Sequence, residues 1–302
     1  MKLIDLFCGA GGLSLGMQMA GHEVVAAYDH DESAIETYRL NLGDHAHVAD
    51  IRTLIGDDLP DCDGIIGGPP CQALSSANTN DEGWNSPRNM IPDFVRVLLE
   101  ARPKFFVVEN VMGLLRHSHD LGIEIGRLMN AGYLPALTVL NAADYGVPQE
   151  RKRVFIIGHL NGSLPLWPEP THNRRNRISA RTALAALLKE SEGKLPPFMR
   201  HLADGGDKLI HGCNRSETLR GKELYYRSFD RPAFTILARG KGGGIDRAWV
   251  NGLSYPLTIQ HVSTLQSFPS DWQWPDARLD ARRQIGNAVP PLLAYAIGRA
   301  LM

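Results

Sequence analysis

The feature that most constrains this chain is an alternation of short apolar runs with helical stretches. Leu3 to Phe7, Glu23 to Tyr28, His47 to Ala49, Ile65-Ile66 and Phe105 to Val108 are too short for helices and read as buried strands. Between them, Leu13 to Ala20, Ser33 to Leu42 and Ile91 to Glu100 read as helices. In the last of these, Ile91, Phe94, Val95, Leu98 and Leu99 fall on one face. A further helix is expected over about Leu121 to Ala131, with strands over Leu134 to Leu140 and Val154 to Ile157. Strands alternating with helices predict an α/β fold, a mostly parallel sheet with helices on both faces. In such sheets the ligand sits at the carboxyl ends of the strands. Asp29, Asp50, Cys71 and Glu109 each follow an inferred strand, so one rim is expected to gather all four.

Two stretches on that rim carry chemistry. The first strand runs into Cys8-Gly9-Ala10-Gly11-Gly12 and then a helix. Strand, glycine turn, helix is the layout of a nucleotide-type cofactor site, because glycines admit a ligand to the backbone and the helix start offers unpaired N–H groups. Asp29, closing the second strand, stands where a carboxylate meets ribose hydroxyls. The order F-x-G-x-G is not the dinucleotide fingerprint G-x-G-x-x-G, which counts against a nicotinamide oxidoreductase. The second stretch is Gly67-Gly68-Pro69-Pro70-Cys71-Gln72, read with Glu109-Asn110-Val111. Two prolines fix the backbone just ahead of Cys71. By itself this fits either a reactive cysteine on a stiff loop or a buried structural thiol, and the residues leave both open.

At 302 residues the chain has length for one large domain or two. From about Asn161 its texture changes. Scattered prolines, the cluster Arg174-Arg175-Asn176-Arg177 and Gly240 to Gly244 break the alternation. A smaller, irregular, β-rich domain is expected over residues 161–274, with 1–160 and 275–302 forming the larger one. The tail from Ile285 to Pro291 introduces an apolar helix, Leu292 to Leu301, expected to pack back on the larger domain. The net charge of −1 hides an asymmetry. Residues 151–250 hold 19 Lys/Arg against 9 Asp/Glu, and the remainder 13 against 24. A basic segment in an acidic protein suits a polyanionic partner, although solvated basic faces are common. The four cysteines form no C-x-x-C pair and no zinc spacing, so no metal is expected and a reducing cytoplasm is the natural setting. No run approaches the ~20 apolar residues a bilayer span needs.

With these residues assembled, the chain resembles the DNA cytosine-5 methyltransferases of the compact bacterial restriction–modification type. The resemblance rests on six motifs in family order. They are Asp5-Leu6-Phe7-Cys8-Gly9-Ala10-Gly11-Gly12, then Gly68-Pro69-Pro70-Cys71-Gln72, then Glu109-Asn110-Val111. Gln149-Glu150-Arg151-Lys152-Arg153, Leu257-Thr258 with Leu265 to Pro269, and Gln284 to Pro290 complete the set. The larger domain is then a Rossmann-like methyltransferase sheet that binds S-adenosylmethionine, and 161–274 is the target-recognition domain. The resemblance implies a monomer acting on duplex DNA, with a cognate restriction endonuclease as genetic partner.

It also implies residue roles. The Cys71 thiolate adds to cytosine C6, and Glu109 donates a proton at N3 while Asn110 holds the loop. Arg151 and Arg153, alternating along a strand with Gln149, hold the cytosine O2 and the catalytic loop from one face. Phe7, Gly9, Gly11 and Gly12 lie beneath the methionine and ribose. Asp29 takes the ribose hydroxyls with His30 beside it, Asp50 and Ile51 meet the adenine, and Pro69 lines the cofactor side. Asn287, Ala288 and Val289 close the pocket. A base in a duplex must be flipped out to react, and Asn78 to Pro87 is expected to close over it. Arg227, Arg231, Arg239 and Lys241 are the candidate DNA contacts. Four positions depart from the family pattern: Leu74 for Phe, His30 for an aromatic residue, Tyr255 for Arg and His261 for Glu. A tRNA cytosine-5 methyltransferase of the same fold is the alternative within this chemistry, and a cofactor-binding regulator without activity is the alternative outside it.

Overall fold

A computed structural model of the chain describes residues 1–70, 84–160, 162–190, 208–212, 226–238, 244–250 and 253–302. It divides into two compact units. The first comprises Met1–Leu140, Lys152–Glu169 and Ala294–Met302, and the second Asn141–Arg151 and Pro170–Leu293.

The first unit is built on a seven-stranded sheet. Its strands are β1 (Lys2–Leu6), β2 (Glu23–Asp29), β3 (Ala46–Val48), β4 (Gly64–Gly67), β5 (Phe105–Asn110), β6 (Leu134–Asn141) and β7 (Lys152–His159), in the spatial order β3-β2-β1-β4-β5-β7-β6. The pairs among β1 to β5 are parallel, whereas β7 runs antiparallel to β5, so the sheet is mostly parallel as expected. Between them run α1 (Gly12–Met19), α2 (Glu32–Leu42), α3 (Ile91–Ala101) and α4 (Ser118–Asn130). The order of strands reverses between β1 and β4. At such a switch point the helices leave in opposite directions and a crevice opens at the strands' carboxyl ends.

Local signals set these elements. Asp31 caps α2, its side chain accepting the Ala34 N–H. In α3, Ile91, Phe94, Val95 and Leu98 are buried, the helical stripe read in the sequence, with Pro92 in the first turn. β5 is buried at all six positions, as a central strand covered on both faces must be. One core gathers Ile4, Leu6, Ile65, Phe94, Leu98, Phe106 and Val154. Each such side chain contributes about 1.5–3 kcal/mol when fully buried.

The second unit holds a four-stranded antiparallel sheet, β8 (Lys208–Gly212), β9 (Tyr226–Ser228), β10 (Gly244–Val250) and β11 (Leu253–Pro256), in the order β11-β10-β8-β9. Its core joins Leu184, Phe229, Ile236, Leu257, Leu265 and Ile285. Residues 141–151 and 275–293 belong to this unit, although the sequence grouped them with the larger domain. The reason is polar. Gln149 donates to the Leu265 carbonyl at 3.2 Å and accepts the Ile236 N–H at 2.8 Å, and Arg151 binds the carbonyls of Ile236 and Gly286.

Candidate active site

At the carboxyl ends of β1 to β4 the first unit opens a cleft of about 430 Å³, its open mouth included. Phe7, Tyr28, Asp29, His30, Ala49, Asp50, Ile51, Arg52, Leu54, Pro70 and Met90 line it. Five expected cofactor residues are therefore brought together: Phe7, Asp29, His30, Asp50 and Ile51. The chain reaches this wall through a tight path. Phe7 takes φ 63°, an uncommon conformation for a side-chain-bearing residue, and Gly9 and Gly11 follow at 52° and 87°. A Cβ on Gly11 would also lie 2.5 Å from Leu42 Cδ1 and 3.0 Å from Tyr38.

Gly9, Gly11 and Gly12 do not line the cleft. Gly9 acts through its backbone, donating its N–H to Asp29 Oδ2 at 2.9 Å, and Gly11 starts α1. Asp29 is thus held in place: Oδ1 accepts the Asp31 N–H at 3.0 Å and lies 3.2 Å from His30 Nδ1. That hydrogen bond to Asp29 raises the His30 pKa above the ordinary histidine value against a smaller opposing effect of burial. Asp50 accepts two bonds from Arg52 Nε and one from the Arg52 backbone N–H, each 3.0 Å. The Arg52 guanidinium holds the Asp50 carboxyl down at about 2. Beneath the glycine turn, Asp5 is fully buried and accepts a 2.6 Å bond from Ser14 Oγ. Burial pushes its carboxyl up to about 7.

Pro70, not Pro69, faces the cleft. The Pro69 carbonyl instead accepts from Asn110 Nδ2 at 3.0 Å, while Asn110 Oδ1 accepts the Val111 N–H at 2.8 Å. Asn110 therefore ties the end of β5 to the backbone at Pro69. Next to it, Glu109 and Arg153 form an ion pair across the β5–β7 ladder, with Arg153 Nε 2.9 Å from Glu109 Oε1. Their side chains are only 9% and 11% exposed. The other carboxylate oxygen, Oε2, would lie 3.4 Å from a Cβ placed on Gly68, so the acid faces the backbone that leads to Cys71. Cys71, Leu74, Arg239 and Lys241 lie outside the described residues, as do most of Asn78 to Pro87 and the Tyr255 side chain.

Two expected site residues are engaged elsewhere. Arg151 is 1% exposed, and its guanidinium donates to the Ile236 and Gly286 carbonyls, each at 3.0 Å. Within the second unit it fastens the backbone at Ile236 and Gly286, whereas Arg153 pairs with Glu109. Arg227 lies 4.0 Å over the Phe234 ring and pairs with Glu150 Oε2 at 2.7 Å, inside the second unit. An arginine stacked and paired in this way is a packing element. Arg231 is exposed. Asn287, Ala288 and Val289 also belong to the second unit, where Ala288 O accepts from Gln266 Nε2 at 2.6 Å. His261 caps a helix: its Nδ1 accepts the Thr258 N–H at 3.0 Å and completes a capping box on the helix Ile259–Leu265. Burial drives its pKa down to about 4, which keeps the ring neutral and Nδ1 an acceptor. Tyr28, Ala49, Arg52, Leu54 and Met90 also line the cleft and were not among the expected residues; Tyr28 and Ala49, each next to an aspartate after a strand, carried a usable signal.

Comparison with known proteins gives the same reading. The family model for C-5 cytosine-specific DNA methylase matches residues 1–302. Type II methyltransferase M.FnuDI of Fusobacterium nucleatum is 33% identical over 333 residues, covering 100% of this chain and 94% of that protein. Type II methyltransferase M.DdeI of Desulfomicrobium norvegicum is 44% identical over 377 residues, covering 100% and 88%. Among solved structures, the S. pombe Dnmt2 methyltransferase shares the fold with a TM-score of 0.74 at 18% identity, covering 99% of this chain and 97% of that one. The chain belongs to the C-5 cytosine-specific DNA methylase family.

Proposed function

We propose that the protein transfers a methyl group from S-adenosylmethionine to C5 of a flipped cytosine at a specific sequence in duplex DNA, with Cys71 as nucleophile. The observation that carries this is the Glu109–Arg153 ion pair set against Gly68, in the stretch that runs into Pro69-Pro70-Cys71. Cytosine C5 is a poor nucleophile. Addition of the Cys71 thiolate to C6 forms an S–C6 bond and moves the ring's electron pair towards C5. Glu109, in its protonated form, donates a proton to N3 as negative charge develops on the ring, which lowers that barrier. Arg153 keeps the Glu109 carboxyl aimed, and Asn110 fixes the Pro69 carbonyl so that the loop is held at its base. After C5 is methylated, loss of its proton to water and departure of the thiolate restore the 5,6 double bond, and N3 returns its proton to Glu109.

The cleft fits the cofactor. Phe7 and Tyr28 offer aromatic surface for a purine, while Asp29 and Asp50 offer fixed carboxylates for hydroxyl and amine donors. When bound, S-adenosylmethionine supplies an electrophilic methyl group on a sulfonium. Asp29 would take the ribose hydroxyls, Asp50 and Ile51 the adenine edge, and Phe7 the floor. No metal enters this chemistry.

The first unit is then the catalytic domain, and the second carries target recognition, with Arg231, Arg239 and Lys241 as candidate DNA contacts. Kinship with Type II methyltransferases supports a role beside a cognate restriction endonuclease, and on this proposal the protein acts as a monomer in the cytoplasm. No described helix is long and apolar enough to cross a membrane. The test is incubation with methyl-labelled S-adenosylmethionine and either duplex DNA or tRNA. Label is expected in DNA cytosine at a fixed sequence; label in tRNA alone, or in neither, refutes the proposal.

A further inference from the structure

Three contacts fasten the stretch from Asp50 to Gly56, which forms one wall of the cleft, to a helix that does not itself line it. Arg96 on α3 donates from Nη2 to the Ile51 carbonyl at 2.8 Å and from Nη1 to the Leu54 carbonyl at 2.9 Å. Ile51 and Leu54 both line the cleft. One turn on, Glu100 Oε2 accepts the Gly56 N–H at 2.8 Å, and Arg96 pairs with the same carboxylate at 3.0 Å. Gly56 sits hard on the helix: a Cβ there would come within 2.5 Å of the Val97 carbonyl oxygen and 2.7 Å of the Ala101 nitrogen. These are backbone atoms and cannot swing away. The helix beneath is rigid, with Phe94, Val97 and Leu98 buried, and its start is tied to the cleft because Met90 N–H donates to the Pro70 carbonyl at 3.1 Å.

We propose that Arg96, Glu100 and Gly56 are positioning residues for the cofactor: they hold the Asp50–Gly56 wall in its binding conformation and so set cofactor affinity without touching the ligand. A wall held in advance spares the ligand the cost of ordering it, and charged donors to carbonyls are among the stronger neutral-acceptor bonds. This rests on the reading of the cleft as the S-adenosylmethionine site. Because the wall is fixed equally for substrate and product, its loss weakens both, and it appears in KM rather than kcat.

The experiment is isothermal titration of wild type, R96M, R96K and G56A with S-adenosylmethionine and with S-adenosylhomocysteine, followed by steady-state kinetics on duplex DNA. R96M and G56A are expected to raise Kd for both by about tenfold, with R96K in between because one ammonium serves one carbonyl well. At saturating cofactor, kcat is expected within about twofold of wild type, a split that a general loss of folding does not produce. Unchanged Kd in R96M and G56A, or a fall in kcat alone, overturns the proposal. Should G56A fail to fold, R96M against R96K decides it. Wild type that does not bind S-adenosylmethionine overturns the assignment of the cleft itself, and with it this inference.

Discussion

Asp5→Asn should make the protein more stable at alkaline pH, contrary to the usual effect of altering a core residue. Asp5 sits in β1, fully buried, with Oδ2 bonded to Ser14 and Oδ1 without a hydrogen-bond partner among the described residues. Burial, helped by the charge of Asp29 and opposed by Ser14, lifts its carboxyl from 3.8 to about 7. In the unfolded chain the group titrates near its ordinary value of about 3.9. Between about pH 4 and pH 7 the folded state therefore holds a proton that the unfolded state has released, so stability falls as pH rises through this window and levels off above it. The gap corresponds to about 4 kcal/mol at about 1.4 kcal/mol per tenfold change in proton affinity. Asparagine removes that loss, and its carbonyl still accepts from Ser14. Its amide nitrogen, placed where Oδ1 finds no partner, costs about 1–3 kcal/mol. The net expectation is a variant more stable than wild type by about 1–3 kcal/mol near pH 8, with the advantage vanishing or reversing near pH 4. Hydrogen exchange at the β1 amides, read at several pH values, measures this in the first unit without requiring both units to unfold together. A stability difference that does not change with pH, or one that grows in favour of wild type as pH rises, refutes the reasoning.

Other substitutions separate catalysis from packing. Glu109→Gln should lower kcat by about 10²–10⁴ while leaving the Kd for S-adenosylmethionine within about twofold, because it removes the proton donor and not the cleft; single-turnover kinetics and titration check both. Arg151→Met should destabilise the second unit by about 2–4 kcal/mol, since the buried carbonyls of Ile236 and Gly286 lose their donor, as seen in urea unfolding of that unit. Arg227→Met should likewise cost stability but leave the salt dependence of DNA binding unchanged. Arg231→Met should reduce the slope of log K against log salt by about 1, and filter binding across a salt series distinguishes the two.

The sheet was legible because its signal is local. Short apolar runs broken by glycine or acid can only be buried strands, and α3 announces itself through Ile91, Phe94, Val95 and Leu98. The rim followed from topology alone: Asp29 and Asp50 meet in the cleft because parallel strands bring their ends to one side. What failed were inferences about where a side chain spends its bonds. Arg151 and Arg153 share a parity, yet Arg151 is spent on the Ile236 and Gly286 carbonyls and Arg153 on Glu109. Arg227 is a candidate DNA contact by sequence; its partner Glu150 lies 77 residues away along the chain. Which of two adjacent prolines faces a ligand depends on the turn at the end of β4, and no spacing rule supplies that. His261 shows a role no spacing rule supplied, the N3 acceptor of a capping box with Thr258.

The central claim is that Cys71 attacks C6 of cytosine in DNA, and a trapped adduct tests it most directly. Duplex DNA whose cytosines are replaced by 5-fluorocytosine lets the thiolate add and the methyl transfer, but C5 then carries no proton to lose, so the thiolate cannot leave. With S-adenosylmethionine present, the wild-type protein should form a covalent complex with this DNA, and mass spectrometry of its digest should place the nucleotide on Cys71. No complex, or an adduct at any other residue, would contradict it.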